Sequence, residues 1–357
     1  MSTTTSSVNT GEPTPLDVFL ADQGCLTPVA QFARRHEGDL IDPASRYYRD
    51  LVPLSAPKPG QQYGFEVDLD ACTGCKACVI ACNNLNGLDE GESFRATGLL
   101  HGGTLVLPLQ QTVTTACHHC VEPACMNGCP TRAFDKDPLT GIVSHAEERC
   151  LGCGYCTWTC PYEVPRFNEA RGVIRKCDMC KDRLAVGEAP ACVQACPNGA
   201  IAIRLVDIGE VVAEAAAPNA AVLPTAPPSM LTIPTTRYLT AWEIPPDVIA
   251  ADYRTVRPGH GHRPLVVMLV LTQMAVGTLG IGLLIPGRRS SVVALLVAMA
   301  GLVASVAHLG QPQRLWRSMA GLRTSWLSRE VAALGAFTGA TVVATISGSR
   351  MLIAVSA

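Results

Sequence analysis

Sixteen of the chain's 17 cysteines fall into four groups of four between Cys72 and Cys196. They are Cys72, Cys75, Cys78, Cys82; Cys117, Cys120, Cys125, Cys129; Cys150, Cys153, Cys156, Cys160; and Cys177, Cys180, Cys192, Cys196. The first and third groups read C-x2-C-x2-C-x3-C, the spacing with which bacterial ferredoxins hold 4Fe-4S clusters. Three thiolates at intervals of three residues wrap one cubane, and the fourth, a helical turn further on, points to a second cluster. Proline follows the fourth cysteine in three groups, at Pro130, Pro161 and Pro197, and turns the chain out of the site. Asn83 takes that place after Cys82.

Paired cysteines have two other fates. Disulfides need an oxidising compartment, and no export signal is read at the N-terminus. Arg34 and Arg35 form a pair, but His36-Glu37-Gly38-Asp39 follow where an apolar run is needed. Zinc takes four thiolates in tetrahedral sites, and a membrane-tethered zinc scaffold is the reading from a different class. If the groups fold as two-cluster ferredoxin modules, the first and fourth form an outer module and the second and third an inner one nested within it. Cys72, Cys75, Cys78 and Cys196 then share one cluster, and Cys82, Cys177, Cys180 and Cys192 a second. Cys117, Cys120, Cys125 and Cys160 share a third, and Cys129, Cys150, Cys153 and Cys156 a fourth. His118 and His119 lie inside a C-x2-C unit whose ligands are already complete, so they read as donors beside a cluster or as surface residues. Cys25 reads as an ordinary buried thiol. With no acid-base or nucleophile constellation in the region, the chain conducts electrons and has no catalytic residue of its own.

The rest of the chain is of another kind. It has 357 residues, a net charge of -2, 16% charged and 48% hydrophobic residues. That balance excludes a nucleic-acid binder, which needs a surplus of Lys and Arg. From residue 264 on there are seven arginines and one acid, Glu330, so the preceding part is acidic by about eight charges. Three stretches there, 265–285, 290–309 and 331–349, are uncharged and long enough to cross a hydrocarbon core of about 30 Å. Their Gly, Ala and Thr suit close helix packing in a membrane. The fold class is α+β: two nested bacterial-ferredoxin-like modules followed by a transmembrane α-helical segment. The domains run 1–62, a polar extension with two short helices between Leu16 and Tyr48; 63–208, the four-cluster domain; 209–262, an Ala/Pro-rich linker or docking arm; and 263–357, the anchor. Short strands are expected at Phe65–Leu69 and Gly141–Ser144.

The run Cys117-His118-His119-Cys120-Val121-Glu122-Pro123-Ala124-Cys125 resembles the iron-sulfur subunit of the dimethyl sulfoxide reductase family. So do Cys150-Leu151-Gly152-Cys153-Gly154-Tyr155-Cys156 with Cys160-Pro161-Tyr162, and Arg175-Lys176-Cys177-Asp178-Met179-Cys180-Lys181-Asp182-Arg183. The resemblance covers about residues 64 to 208 and implies four 4Fe-4S clusters with the nested pairing. Nitrate reductase relatives carry tryptophan at one third-group position and a 3Fe cluster, whereas Cys153 is intact here. Arg263-Pro264-Leu265-Val266, His308-Leu309-Gly310-Gln311-Pro312-Gln313-Arg314 and Ser325-Trp326-Leu327-Ser328-Arg329-Glu330 resemble the anchor subunit of the same complexes.

This implies a quinol site at His308 and Glu330, a partner catalytic subunit that alone carries molybdopterin, and exchange with the membrane quinone pool. The anchor family has about eight helices against three here, so a truncated anchor or a further anchor subunit is expected. Hydrogenase, formate dehydrogenase and polysulfide reductase complexes are the alternative settings. The chain is expected in the cell inner membrane as a multi-pass protein. Arg254, Arg257, Arg263, Arg314, Arg317, Arg323 and Arg329 against Arg288, Arg289 and Arg350 place the iron-sulfur domain in the cytoplasm by the positive-inside rule. The periplasm remains the alternative, as in relatives exported with a twin-arginine partner.

Overall fold

The computed structural model describes residues 48–104, 108–255, 263–284 and 288–347, with Val18 and Ala21. The expected N-terminal helices, the Arg34-Arg35 pair and Cys25 lie outside the described residues. The first strand, β1 (Gln61–Asp68), alternates its apolar side chains into the core, with Phe65 and Val67 almost fully buried. It begins four residues before the expected strand. The helix α1 (Ala77–Asn86) carries the end of the first cysteine group and stops at Gly87, whose left-handed conformation suits a C-cap. The hairpin β2 (Ala96–Gly103) and β3 (Pro108–Thr115) follows.

The next elements are short because the chain turns back at each cysteine group. They are α2 (Ala124–Gly128), the hairpin β4 (Phe134–Lys136) and β5 (Val143–His145), and α3 (Tyr155–Thr159). A second small hairpin, β6 (Arg166–Asn168) and β7 (Val173–Arg175), leads to α4 (Lys181–Ala185) and α5 (Ala191–Gln194). The strand β8 (Ile201–Asp207) returns antiparallel to β1, with Phe65 opposite Ile203. In space α1 packs on α5, and α2 on α3. The first and fourth groups are thus brought together by α1 on α5 and by the β1–β8 pair, and the second and third by α2 on α3.

The Ala/Pro-rich stretch is an ordered arm. It contains α6 (Ile208–Ala215), capped by the Asp207 carboxylate on the Glu210 N–H, and then runs back across the domain. The Ile233 and Thr232 carbonyls accept from Val121 and Glu122, at 2.8 and 3.1 Å. The strand β9 (Arg237–Leu239) then joins β1 in parallel, and β10 (Ile249–Ala250) pairs with β2. Composition suggests a linker because Ala and Pro carry no pairing signal of their own. What orders the arm is the backbone bonding offered by the domain.

Three helices long and apolar enough to cross a membrane complete the chain: α7 (Arg263–Leu284), α8 (Arg288–Val306) and α9 (Trp326–Ser347). The helix α9 begins five residues before the expected span. A span sought by absence of charge starts after Glu330, but a helix tolerates charges at its interfacial end.

Between α8 and α9 the chain leaves the helices and docks on the cysteine domain. The Gly310 and Gln311 N–H groups donate to the Gly152 and Leu151 carbonyls at 3.2 and 3.0 Å, and the Gly321 N–H donates to the Pro130 carbonyl at 2.7 Å. Arg314, in the 3-10 helix Pro312–Gly321, donates to the Glu147 and Cys150 carbonyls at 2.7 and 2.9 Å. The Ser325 hydroxyl donates to the Gly128 carbonyl at 2.7 Å. Gly310 lies against Gly152 and Gly172 so closely that a Cβ on any of the three would overlap the others' backbone. Gly310→Val is expected to open this contact. Amide hydrogen exchange should rise at least about tenfold at Gln311 and Gly321 and stay unchanged in β1 and β8.

Candidate iron-sulfur site

Each cysteine group begins with the same backbone turn. The second residue after the first cysteine, Gly74, His119, Gly152 or Met179, has a positive φ of 70, 42, 70 or 61°. This left-handed residue folds the C-x2-C unit back on itself, so that an amide faces the first sulfur. In the third and fourth groups the Gly152 and Met179 N–H groups donate to the Cys150 and Cys177 sulfurs, both at 3.4 Å. At the other end of two groups, the amide four residues beyond the Cys-Pro cysteine does the same. The Ala133 and Ala200 N–H groups reach the Cys129 and Cys196 sulfurs, each at 3.3 Å. Such donors favour the thiolate over the thiol.

The cysteines converge in sets drawn from different groups. One cavity is lined by Cys72, Cys75, Cys78 and Cys196, another by Cys117, Cys120, Cys125 and Cys160. The other two sets are recognised by their mutual repulsion. Cys82 interacts electrostatically with Cys192 and Cys180, and Cys177 with Cys117 of a neighbouring set and then with Cys82 and Cys180. Cys153 and Cys156 both face Cys129 and Cys150. No disulfide joins any of the sixteen. Among the described residues no three Cys, His, Asp or Glu side chains converge tightly enough for one metal ion. A zinc site with Zn–S bonds of about 2.3 Å requires that convergence. Four sulfurs spread round a common cavity fit a body with several metal atoms.

Charge points the same way. Burial pushes the Cys82, Cys120, Cys153 and Cys180 thiols up to about 12, and raises Cys125 further. Two buried cations stand among them. Lys176 donates to the Cys117 sulfur at 3.6 Å, to the Cys177 carbonyl at 2.6 Å and to the Val143 carbonyl. Burial works to lower its pKa, but Cys117, Cys125, Cys177 and Asp178 outweigh it and hold the ammonium charged. Arg95 is 2% exposed and lies between β1 and the sulfurs of Cys192, Cys177 and Cys78. Neither cation stands out in the sequence, where Ser93-Phe94-Arg95 precedes an ordinary strand and Lys176 is one more charge beside a cysteine.

His118 and His119 are not surface residues: they are 4% and 0% exposed. His118 sets its ring edge-on to Tyr162 at 4.3 Å between centroids, and burial, helped by Arg95, lowers its pKa to about 4. The His119 Nδ1 accepts from the Val143 N–H at 3.0 Å. Burial and Lys176 hold it well below the ordinary histidine range, so both imidazoles are neutral. His308 is half-buried just beyond α8, two residues before the docking contact, and Glu330 is exposed in the second turn of α9. Both therefore lie at the end of the helices that meets the cysteine domain.

A 4Fe-4S dicluster domain model matches residues 110–205, and a DMSO reductase anchor subunit (DmsC) model matches residues 257–347. The B subunit of anaerobic dimethyl sulfoxide reductase from Escherichia coli K12 is 38% identical over 162 residues, covering 42% of this chain and 74% of that one. Its namesake from Haemophilus influenzae is 36% identical over 160 residues, covering 41% and 76%. The nitrate-inducible formate dehydrogenase iron-sulfur subunit of Escherichia coli K12 is 34% identical over 179 residues, covering 43% and 61%.

With its clusters removed, the folded chain should expose these burial effects directly. At pH 8, Cys82, Cys120, Cys153 and Cys180 should react with iodoacetamide on the order of 10³-fold more slowly than an unperturbed thiol, because so little thiolate is present. The rate should rise about tenfold per pH unit towards pH 12. Alkylation at the ordinary rate contradicts the burial.

Proposed function

Since the chain belongs to the family of dimethyl sulfoxide reductase iron-sulfur subunits and continues into the corresponding anchor domain, we propose that it carries electrons between membrane quinol and a separate molybdopterin-containing catalytic subunit. Its four 4Fe-4S clusters would supply the one-electron carriers. Their ligands are Cys72, Cys75, Cys78, Cys196; Cys82, Cys177, Cys180, Cys192; Cys117, Cys120, Cys125, Cys160; and Cys129, Cys150, Cys153, Cys156. The two four-cysteine cavities and the repulsions within the other two sets support that assignment.

The observation that carries the reading is the docking of residues 310–325 on the backbone of Cys150–Gly152 and Gly128–Pro130. It brings the segment between two spans against the loops that hold the Cys129/Cys150/Cys153/Cys156 set. Cys75 is exposed, which suits the Cys72/Cys75/Cys78/Cys196 set to face the catalytic partner. Neighbouring sets interact electrostatically in a row: Cys156 with Cys125, Cys177 with Cys117, and Cys78 with Cys192.

Quinol oxidation releases two electrons and two protons, and among the described residues His308 and Glu330 are groups at the membrane edge able to take a proton. The chain is a multi-pass protein of the cell inner membrane. The arginine distribution supports a cytoplasmic iron-sulfur domain. A further anchor subunit would cover the lipid-facing sides of the three helices, most of whose surface is exposed. The similarity to a formate dehydrogenase subunit supports a second reading, in which the partner oxidises formate. The large subunit that copurifies decides between them.

Iron should be found at about sixteen atoms per chain, with EPR signals on reduction; zinc without visible absorption contradicts the proposal. His308→Ala should abolish quinol-dependent turnover and leave activity with an artificial donor intact. Unchanged quinol activity removes His308 from the site.

A further inference from the structure

Arg95 is almost wholly enclosed, and its guanidinium is poorly satisfied by the protein. It lies over the Phe65 ring, 4.7 Å from the centroid, and Nη1 donates a long bond of 3.4 Å to the Thr114 hydroxyl. That hydroxyl is itself 3.6 Å from the Cys78 sulfur. Its Nε and Nη2 groups are buried without a hydrogen-bond partner among the described residues. A charged guanidinium cannot discharge by losing a proton, and an unpaired buried cation is strongly destabilising unless an anion lies beside it. No carboxylate forms an ion pair with it among the described residues. The groups it interacts with electrostatically are the sulfurs of Cys192, Cys177 and Cys78 and the Tyr238 phenol.

These three cysteines belong to the two outer sets. We infer that Arg95 is a fixed positive charge that raises the reduction potentials of the clusters held by Cys72/Cys75/Cys78/Cys196 and Cys82/Cys177/Cys180/Cys192. The inference rests on the four-cluster reading above. A cluster ligated by four thiolates is net anionic, and it gains one further negative charge when it accepts one electron from a reductant. A neighbouring cation therefore stabilises the reduced form more than the oxidised form. Lys176 serves another set: its ammonium meets the Cys117 sulfur at 3.6 Å and is bonded to the Val143 and Cys177 carbonyls. Arg95 is the cation with donors to spare.

The test is a dithionite titration with redox mediators, followed by EPR, on the full chain in its membrane complex. Arg95→Met and Arg95→Gln remove the charge, and Arg95→Lys keeps it. The neutral variants should retain iron and show two of the four midpoints lowered. The expected shift is at least tenfold in the reduction equilibrium, about 59 mV for a one-electron couple. The other two should stay in place, and Arg95→Lys should restore most of the shift. Neutral variants that keep their iron with unshifted midpoints overturn the inference, as does an equal shift of all four. If both neutral variants lose iron while Arg95→Lys keeps it, the side chain is a structural prop and the inference fails. An unaltered chain without iron or reducible signals instead overturns the reading beneath it.

Discussion

The domain between residues 48 and 255 is built round one electrostatic demand: sixteen sulfurs must be gathered into four sets, and many of the sites they occupy disfavour their own charge. Burial, helped by neighbouring sulfurs, pushes several of these thiols up to about 12. Ligand thiolates in such places need cationic metal at the centre, amides at the periphery and buried cations nearby. The chain's own share of these provisions is visible. A left-handed residue stands at the same place in each group, in two of them turning an amide onto sulfur, and Arg95 and Lys176 stand among the sulfurs. The short helices and two- or three-stranded sheets follow from this, because a chain that turns at every cysteine cannot build long elements. Even its buried core clusters count cysteines among their members.

Glycine governs the second constraint, which joins the domain to the helices. Gly152 and Gly172 adopt positive φ and present bare backbone to Gly310. Side chains there would separate the segment at 310–325 from the Cys150 loop by their own thickness. Electron exchange falls steeply with distance, so a backbone-on-backbone contact gives a short separation where the membrane meets the cluster domain. Around it Arg175 holds buried Glu92 at 2.8 Å and Glu147 at 3.1 Å, while the Glu147 carbonyl receives Arg314. The loop of the third group is thus braced from both sides.

Much of this is legible in sequence. Cysteine spacing has a short-range meaning, since ligands three residues apart can reach one body, and lack of charge over about 20 residues has a simple one in lipid. The start of α9 is expected too late because Arg329 and Glu330 interrupt the uncharged run without interrupting the helix. The arm at 208–255 is harder, since its order comes from carbonyls such as Ile233 meeting amides far away in sequence. The burial of His118 and His119 is equally hidden. A polar pair between cysteines gives no local sign of whether Tyr162 and Val143 will close over it. Arg95 is silent in sequence too, because its importance lies in three sulfurs brought to it by the first and fourth groups.

The central claim is that the cluster set beside the docked segment exchanges electrons with the membrane first. Rapid-freeze EPR after mixing the oxidised complex with quinol tests it directly, comparing the unaltered chain with Cys153→Ala, which removes a ligand of the Cys129/Cys150/Cys153/Cys156 set. Loss of that set should abolish reduction of the Cys72/Cys75/Cys78/Cys196 set by quinol while dithionite still reduces it. Reduction by quinol at the unaltered rate would contradict the account.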